Sequence, residues 1–165
     1  MTAASKATLR RGAHLLTICC AATLLATPVA HADNRRLNDS VVANVYTIQQ
    51  QAGCSNEVHI NPQLRLAAQW HTHDVLANRA LDGDIGSDGS MVQDRANAAG
   101  FRGVATETVA INPALAISGI EILNQWYYRP DYLAIMADCA NTQIGVWSEN
   151  SFDRSVVVAV YGRPA

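Results

Sequence analysis

Two cysteines constrain this chain more than any other feature. Four occur in its 165 residues: Cys19, Cys20, Cys54 and Cys139. The first two fall in an N-terminal segment with the pattern of a secretory leader. Lys6, Arg10 and Arg11 make its start positive, Leu15 to Ala26 is apolar, and Ala30-His31-Ala32 offers a cleavage site before Asp33. The apolar run is shorter than the roughly 20 residues a membrane-spanning helix needs. Cys19 follows Ile18 rather than a small residue, which argues against a lipoprotein site. Taking residues 1–32 as a secretory signal peptide leaves Cys54 and Cys139, an even pair in an exported chain, which reads as one disulfide. It would close a loop of 85 residues between positions 54 and 139. The chain-entropy argument values such a closure at roughly 4–5 kcal/mol. Two free buried thiols are the alternative.

Residues 33–165 are then one domain, long enough to bury a core of its own. They hold nine arginines, no lysine and fourteen acids, a formal charge of −5. Such a chain lacks the basic face that nucleic acid or an anionic membrane requires. Charged residues at 16% and hydrophobic residues at 49% exclude a disordered chain or a coiled coil. With the leader removed, nothing suggests an integral membrane protein. The expected location is secreted, extracellular or in the cell envelope.

Leu37, Val41, Val42, Val45, Ile48 and Ala52 recur at helical spacing. Asn38 to Ser40 offer caps for this helix, and Gly53 ends it. Asn61-Pro62 opens a second helix expected to run to about Ala80, with Asn as cap and Pro in the first position. Asp82 to Ser90 is a loop, Met91 to Ala99 a short helix stopped by Gly100, and Val104 to Ile111 a strand. Asn112-Pro113 predicts a fourth helix running through Trp126. Pro130 interrupts it, and Tyr132 to Ala137 adds a further turn. Thr142 to Ser148 and Arg154 to Tyr161 read as strands joined by a turn near Asn150. Helices first and a hairpin last indicate an α+β fold with helices packed on an antiparallel sheet.

Spacing alone yields no catalytic or metal motif. His71 and His73 stand two apart on a helix, about 200° around its axis, so they cannot face one ion. His71 and Asp74 share a face, but two ligands do not make a site. Asp82, Asp84 and Asp88 resemble a calcium loop only superficially. Ser87 and Gln93 stand where such a loop requires Gly and Glu. Trp126, Tyr127, Tyr128 and Tyr132 are either core or the lining of a pocket.

Several motifs together do carry a resemblance. Asn61-Pro62-x-Leu64-x-x-Ala67-Ala68-x-x-His71-Thr72-x-Asp74 resembles a helix of the CAP superfamily: the cysteine-rich secretory, antigen 5 and pathogenesis-related, or SCP-like, domains. Asp88-Gly89, Arg95, Ala99-Gly100-Phe101, Thr106-Glu107-Thr108, Trp126 with Pro130, and Ile144-Gly145-Val146 follow in that family's order. The resemblance implies an α-β-α sandwich, with helices flanking a small antiparallel sheet, and a secreted role. It also implies a cleft lined by two His and two Glu, which binds a divalent ion in some members.

This chain departs from that tetrad. Its four positions fall on Asp84, Glu107, Arg129 and Tyr132, so only one carboxylate is kept and an arginine stands in the set. The implied cleft, lined by His71, Asp84, Glu107, Arg129 and Tyr132, is degenerate. It should hold no metal and need no cofactor. His73 and Glu121 are further side chains that can approach it. Three functions follow. The first is a non-catalytic binding module for a small-molecule, lipid or envelope ligand. The second is an envelope-directed hydrolase with Glu107 as general base. The third is a structural envelope protein presenting Tyr127 and Tyr128 to a partner.

Overall fold

The computed structural model describes residues 34–165, so the leader lies outside the described residues. Nine elements follow in chain order: α1 (Arg35–Gln51), β1 (His59–Ile60), α2 (Pro62–Ala77), α3 (Val92–Ala98), β2 (Gly103–Asn112), α4 (Gly119–Tyr127), α5 (Pro130–Ala137), β3 (Gln143–Ser151) and β4 (Arg154–Pro164).

The strands form one sheet in the order β1-β3-β4-β2. β4 is central and antiparallel to both neighbours, with Glu107 opposite Val160 and Val146 opposite Ala159. β1 adds two residues parallel to β3. The sheet is therefore mixed rather than wholly antiparallel, because His59 and Asn61 donate to Thr142 and Ile144 as the chain enters α2.

Helices cover both faces, which is why β4 is apolar without alternation. Val157, Ala159 and Tyr161 point to one layer, where they meet Val41 and Val45 of α1, Ile122 and Trp126 of α4, and Tyr132 and Met136 of α5. Val156, Val158 and Val160 point to the other, against Leu64, Ala67 and Ala68 of α2 and Ala96 of α3. The result is an α+β, three-layer sandwich. α2 lies unusually close to β3: a Cβ on Gly145 would stand 2.0 Å from the Arg65 nitrogen. Only glycine permits that approach. The Cys54–Cys139 bridge is formed, with 5.3 Å between the Cα atoms, tying the end of α1 to the segment before β3.

Local signals hold where capping decides the outcome. The Asn61 side chain accepts from Gln63 N (2.8 Å) and Leu64 N (3.0 Å), and α2 begins there. Gly100 ends α3 with φ +90°. Four expectations need correction. Asn38 to Ser40 lie inside α1, which starts at Arg35. α2 stops at Ala77, with Asn78 as its cap. Asn112 does not open a helix, since the ladder to β4 carries it opposite Ser155. α4 starts instead at Gly119, where the Ser118 and Glu121 side chains each bond the other's backbone N–H. The last hairpin turns at Phe152-Asp153 rather than Asn150, which is still paired with Ser155.

Candidate functional site

β2 crosses the sheet with Ala105 and Val109 facing α2 and α3, and Glu107 stands between them in the same row. A carboxyl thus enters an otherwise apolar layer. Its side chain is 1% exposed, and its partner is Arg95 on α3, whose side chain is 7% exposed. The Arg95 guanidinium donates to Glu107 Oε1, to the Ser90 carbonyl (2.7 Å) and to the Asp84 carbonyl (2.9 Å). One cation therefore fixes both the loop before α3 and the carboxyl on β2. Burial raises the Glu107 carboxyl from 4.5 to about 8; the Arg95 charge opposes the rise and Asp84 adds to it.

His71 comes from α2. It is fully buried, its Nε2 is 3.0 Å from the Gly83 carbonyl and 4.0 Å from Glu107 Oε1. A carbonyl can only accept, so Nε2 carries the proton. Burial, then the Arg95 charge, lowers the pKa of this ring, which favours neutral imidazole.

Asp84 and Tyr132 meet directly. The Tyr132 hydroxyl, from α5, donates to Asp84 Oδ1 at 2.9 Å. Burial, Asp84 and this bond push the phenol up to about 12. The Arg129 guanidinium lies over the Tyr132 ring, 3.5 Å from its centroid, and pairs with Asp131 at 2.6 Å. Arg129 is therefore not the partner of Glu107. Together the side chains form one chain of contacts: Tyr132 to Asp84, Asp84 to Arg95 through its carbonyl, Arg95 to Glu107, and Glu107 beside His71.

The sequence expectation was a cleft lined by His71, Asp84, Glu107, Arg129 and Tyr132; the contacts join Asp84 and Arg129 to Tyr132 and set His71 beside Glu107, with Arg95 between the two groups. It did not foresee the role of Arg95. The available signal was a charged residue on a short helix that also contributes to the core. His73 turns outward to Glu149 (3.5 Å) and Trp147. Glu121 caps α4. Asp88 is engaged by Ser90 N, and Asp74 by Ser87, so the loop acids do not converge. Of the aromatic cluster, Trp126 and Tyr132 are core, whereas Tyr127 and Tyr128 are 45% and 78% exposed. A groove of about 420 Å³ reaches His71 and Arg95 from the side of Trp70 and Asp88.

A divalent ion does not fit these residues. Glu107 Oε1 is taken by a guanidinium, burial disfavours its charged form, and His71 Nε2 is committed to a carbonyl. Two buried atoms lack partners, Glu107 Oε2 and His71 Nδ1, but one oxygen and one nitrogen do not complete a coordination shell. Among the described residues, no three His, Cys, Asp or Glu side chains are grouped so as to hold a metal.

No protein-family model and no curated protein matches the chain. Its fold does match solved structures. It is similar to an outer surface protein from Borrelia burgdorferi, at TM-score 0.71 and 14% identity, over 82% of this chain and 98% of that one. It is also similar to an extracellular SCP-domain protein of Bacillus anthracis, at TM-score 0.65 and 13% identity, over 78% of this chain and 41% of that one. NaASP2, solved with Zn²⁺, matches at TM-score 0.57 and 8% identity, over 84% of each chain. The chain has the SCP-like, or CAP, fold.

Proposed function

We propose that residues 33–165 are exported after removal of the leader and act as a non-catalytic binding module with a metal-free polar cleft. The observation that carries this is the Arg95–Glu107 contact. It seals the one retained tetrad carboxyl inside the protein, away from solvent and from any ion. The outer-surface and extracellular proteins that share the fold support the exported role. Among the described residues no helix is long and apolar enough to cross a membrane. The test is calorimetric titration of zinc into protein stripped of metal. No saturable uptake is expected. Tight one-to-one binding that disappears in Glu107→Ala overturns the reading.

Two specific observations favour the other readings. Burial raises the Glu107 carboxyl to about 8, a range in which an envelope-directed hydrolase can use it as a general base. Polymer turnover abolished by Glu107→Gln would establish that role. Tyr127 and Tyr128, exposed and packed edge to face at 5.7 Å, favour an interaction surface. Retention on isolated envelopes that is lost when both become Ser would establish that one.

A further inference from the structure

Arg154 opens β4 directly after the Phe152-Asp153 turn. It is 6% exposed, although it begins the most apolar strand of the sheet. Its guanidinium donates one hydrogen bond, Nη2 to the Leu81 carbonyl at 2.8 Å. Its Nε is buried and has no partner. Among the described residues no carboxylate lies within 4.0 Å of it, unlike Arg79 and Arg129, which each hold one. A guanidinium does not shed its charge by deprotonation. A buried cation with a free donor is therefore left uncompensated, and such groups are normally paired.

This guanidinium lines a groove of about 580 Å³. The groove has an apolar wall of Val109, Ile111 and Pro113, and Arg79 and Arg129 stand at the same lining. Two acids also line it, Asp153 and Asp82. Asp153 is held by Arg79 at 2.5 Å, which leaves Asp82 as the only lining carboxylate without an ion pair among the described residues. Arg79 is paired with Asp153 and Arg129 with Asp131, so the most buried of the three lining arginines is the one without an ion pair among the described residues. A ligand that answers this arrangement carries an oxyanion for Arg154 and an apolar body for the wall.

We propose that this groove binds a small organic oxyanion, a carboxylate or a phosphate monoester on an apolar body, with Arg154 as its charge anchor. The proposal rests on reading the domain as a binding module, and it assigns the ligand class. The part of the Arg154 guanidinium that lines the groove donates to the anion, while Nη2 keeps its bond to Leu81 and so holds the side chain in place.

The test follows the Arg154 guanidinium proton resonances by NMR in the oxidised protein. Hexanoate and hexyl phosphate are the probes, with hexanol and hexylammonium as controls. A saturable downfield movement with either anion supports the proposal, and the stronger of the two identifies the head group. Arg154→Met should weaken binding roughly tenfold or more, the loss expected for a charged hydrogen bond. Because that variant also loses the Leu81 bond, Ile111→Trp provides the second arm. It fills the groove, leaves Arg154 intact, and should abolish the movement. No saturable movement with either anion, or an equal response to hexanol, overturns the proposal. Either result leaves the metal-free binding-module reading standing, which zinc uptake or polymer turnover decides separately.

Discussion

Replacing Glu107 with Gln tests the electrostatics of the site most directly, because the two side chains share a shape and differ in one ionisation. In the unfolded chain the carboxyl loses its proton near pH 4.5, whereas in the fold it does so near pH 8. Stability from this group is therefore complete below about pH 4.5 and is lost progressively as the pH rises toward 8. The full difference corresponds to roughly 5 kcal/mol, and the part between pH 5 and pH 8 to about 3–4 kcal/mol. Glu107→Gln removes the ionisation while its amide oxygen can still accept from Arg95. Urea unfolding of both proteins at pH 5, 6, 7 and 8 isolates the effect, since the other titrating groups largely cancel in the difference. The variant should gain on the natural protein by about 1 kcal/mol for each step in pH. A difference that stays flat across this range refutes the reasoning. It would mean that Arg95 outweighs burial and that Glu107 is already ionised in the fold.

Three further outcomes test the architecture. Cys139→Ser opens an 85-residue loop and should lower stability by roughly 4–5 kcal/mol in denaturant titration. Gly145→Ala places a methyl 2.0 Å from the Arg65 backbone, so α2 must lift from β3; a loss of about 3 kcal/mol or more, or failure to fold, is expected on thermal unfolding. Asn61→Ala removes two hydrogen bonds at the start of α2 and should cost about 1 kcal/mol, measurable as a fall in the urea midpoint at unchanged slope.

How much of this was legible follows from how local each determinant is. The start of α2 is written in two residues, because Asn61 and Pro62 solve the capping problem without help from the rest of the chain. The same dipeptide at Asn112-Pro113 misled. There the backbone of Asn112 pairs with Ser155, 43 residues onward, and a strand ladder overrode a helix cap. β1 left no signal, since two residues held by Thr142 and Ile144 have no periodicity of their own. Motif order pointed to Asp84, Glu107 and Tyr132, and the hydrogen bond between Asp84 and Tyr132 depends on the loop before α3 reaching α5. Arg95 and Arg154 were not legible as buried cations. A charged residue reads as solvated until the packing shows which atoms surround it.

Asp84 and Tyr132 hold each other directly. The family resemblance implies a histidine at each of these two positions, and two imidazoles on separate elements need something between them to be held together. Here a phenol donates to a carboxylate at 2.9 Å, joining the α2–α3 loop to α5 across 48 residues of sequence. The bond is charge-assisted, the stronger kind of protein hydrogen bond. Arg129 covers the Tyr132 ring from outside, and Arg95 holds the Asp84 carbonyl from within. A tyrosine opposite a neutral histidine would recover the hydrogen bond but not its charge. The hydrogen bond itself ties the loop to α5. The arginine that fixes it is also the one that buries Glu107.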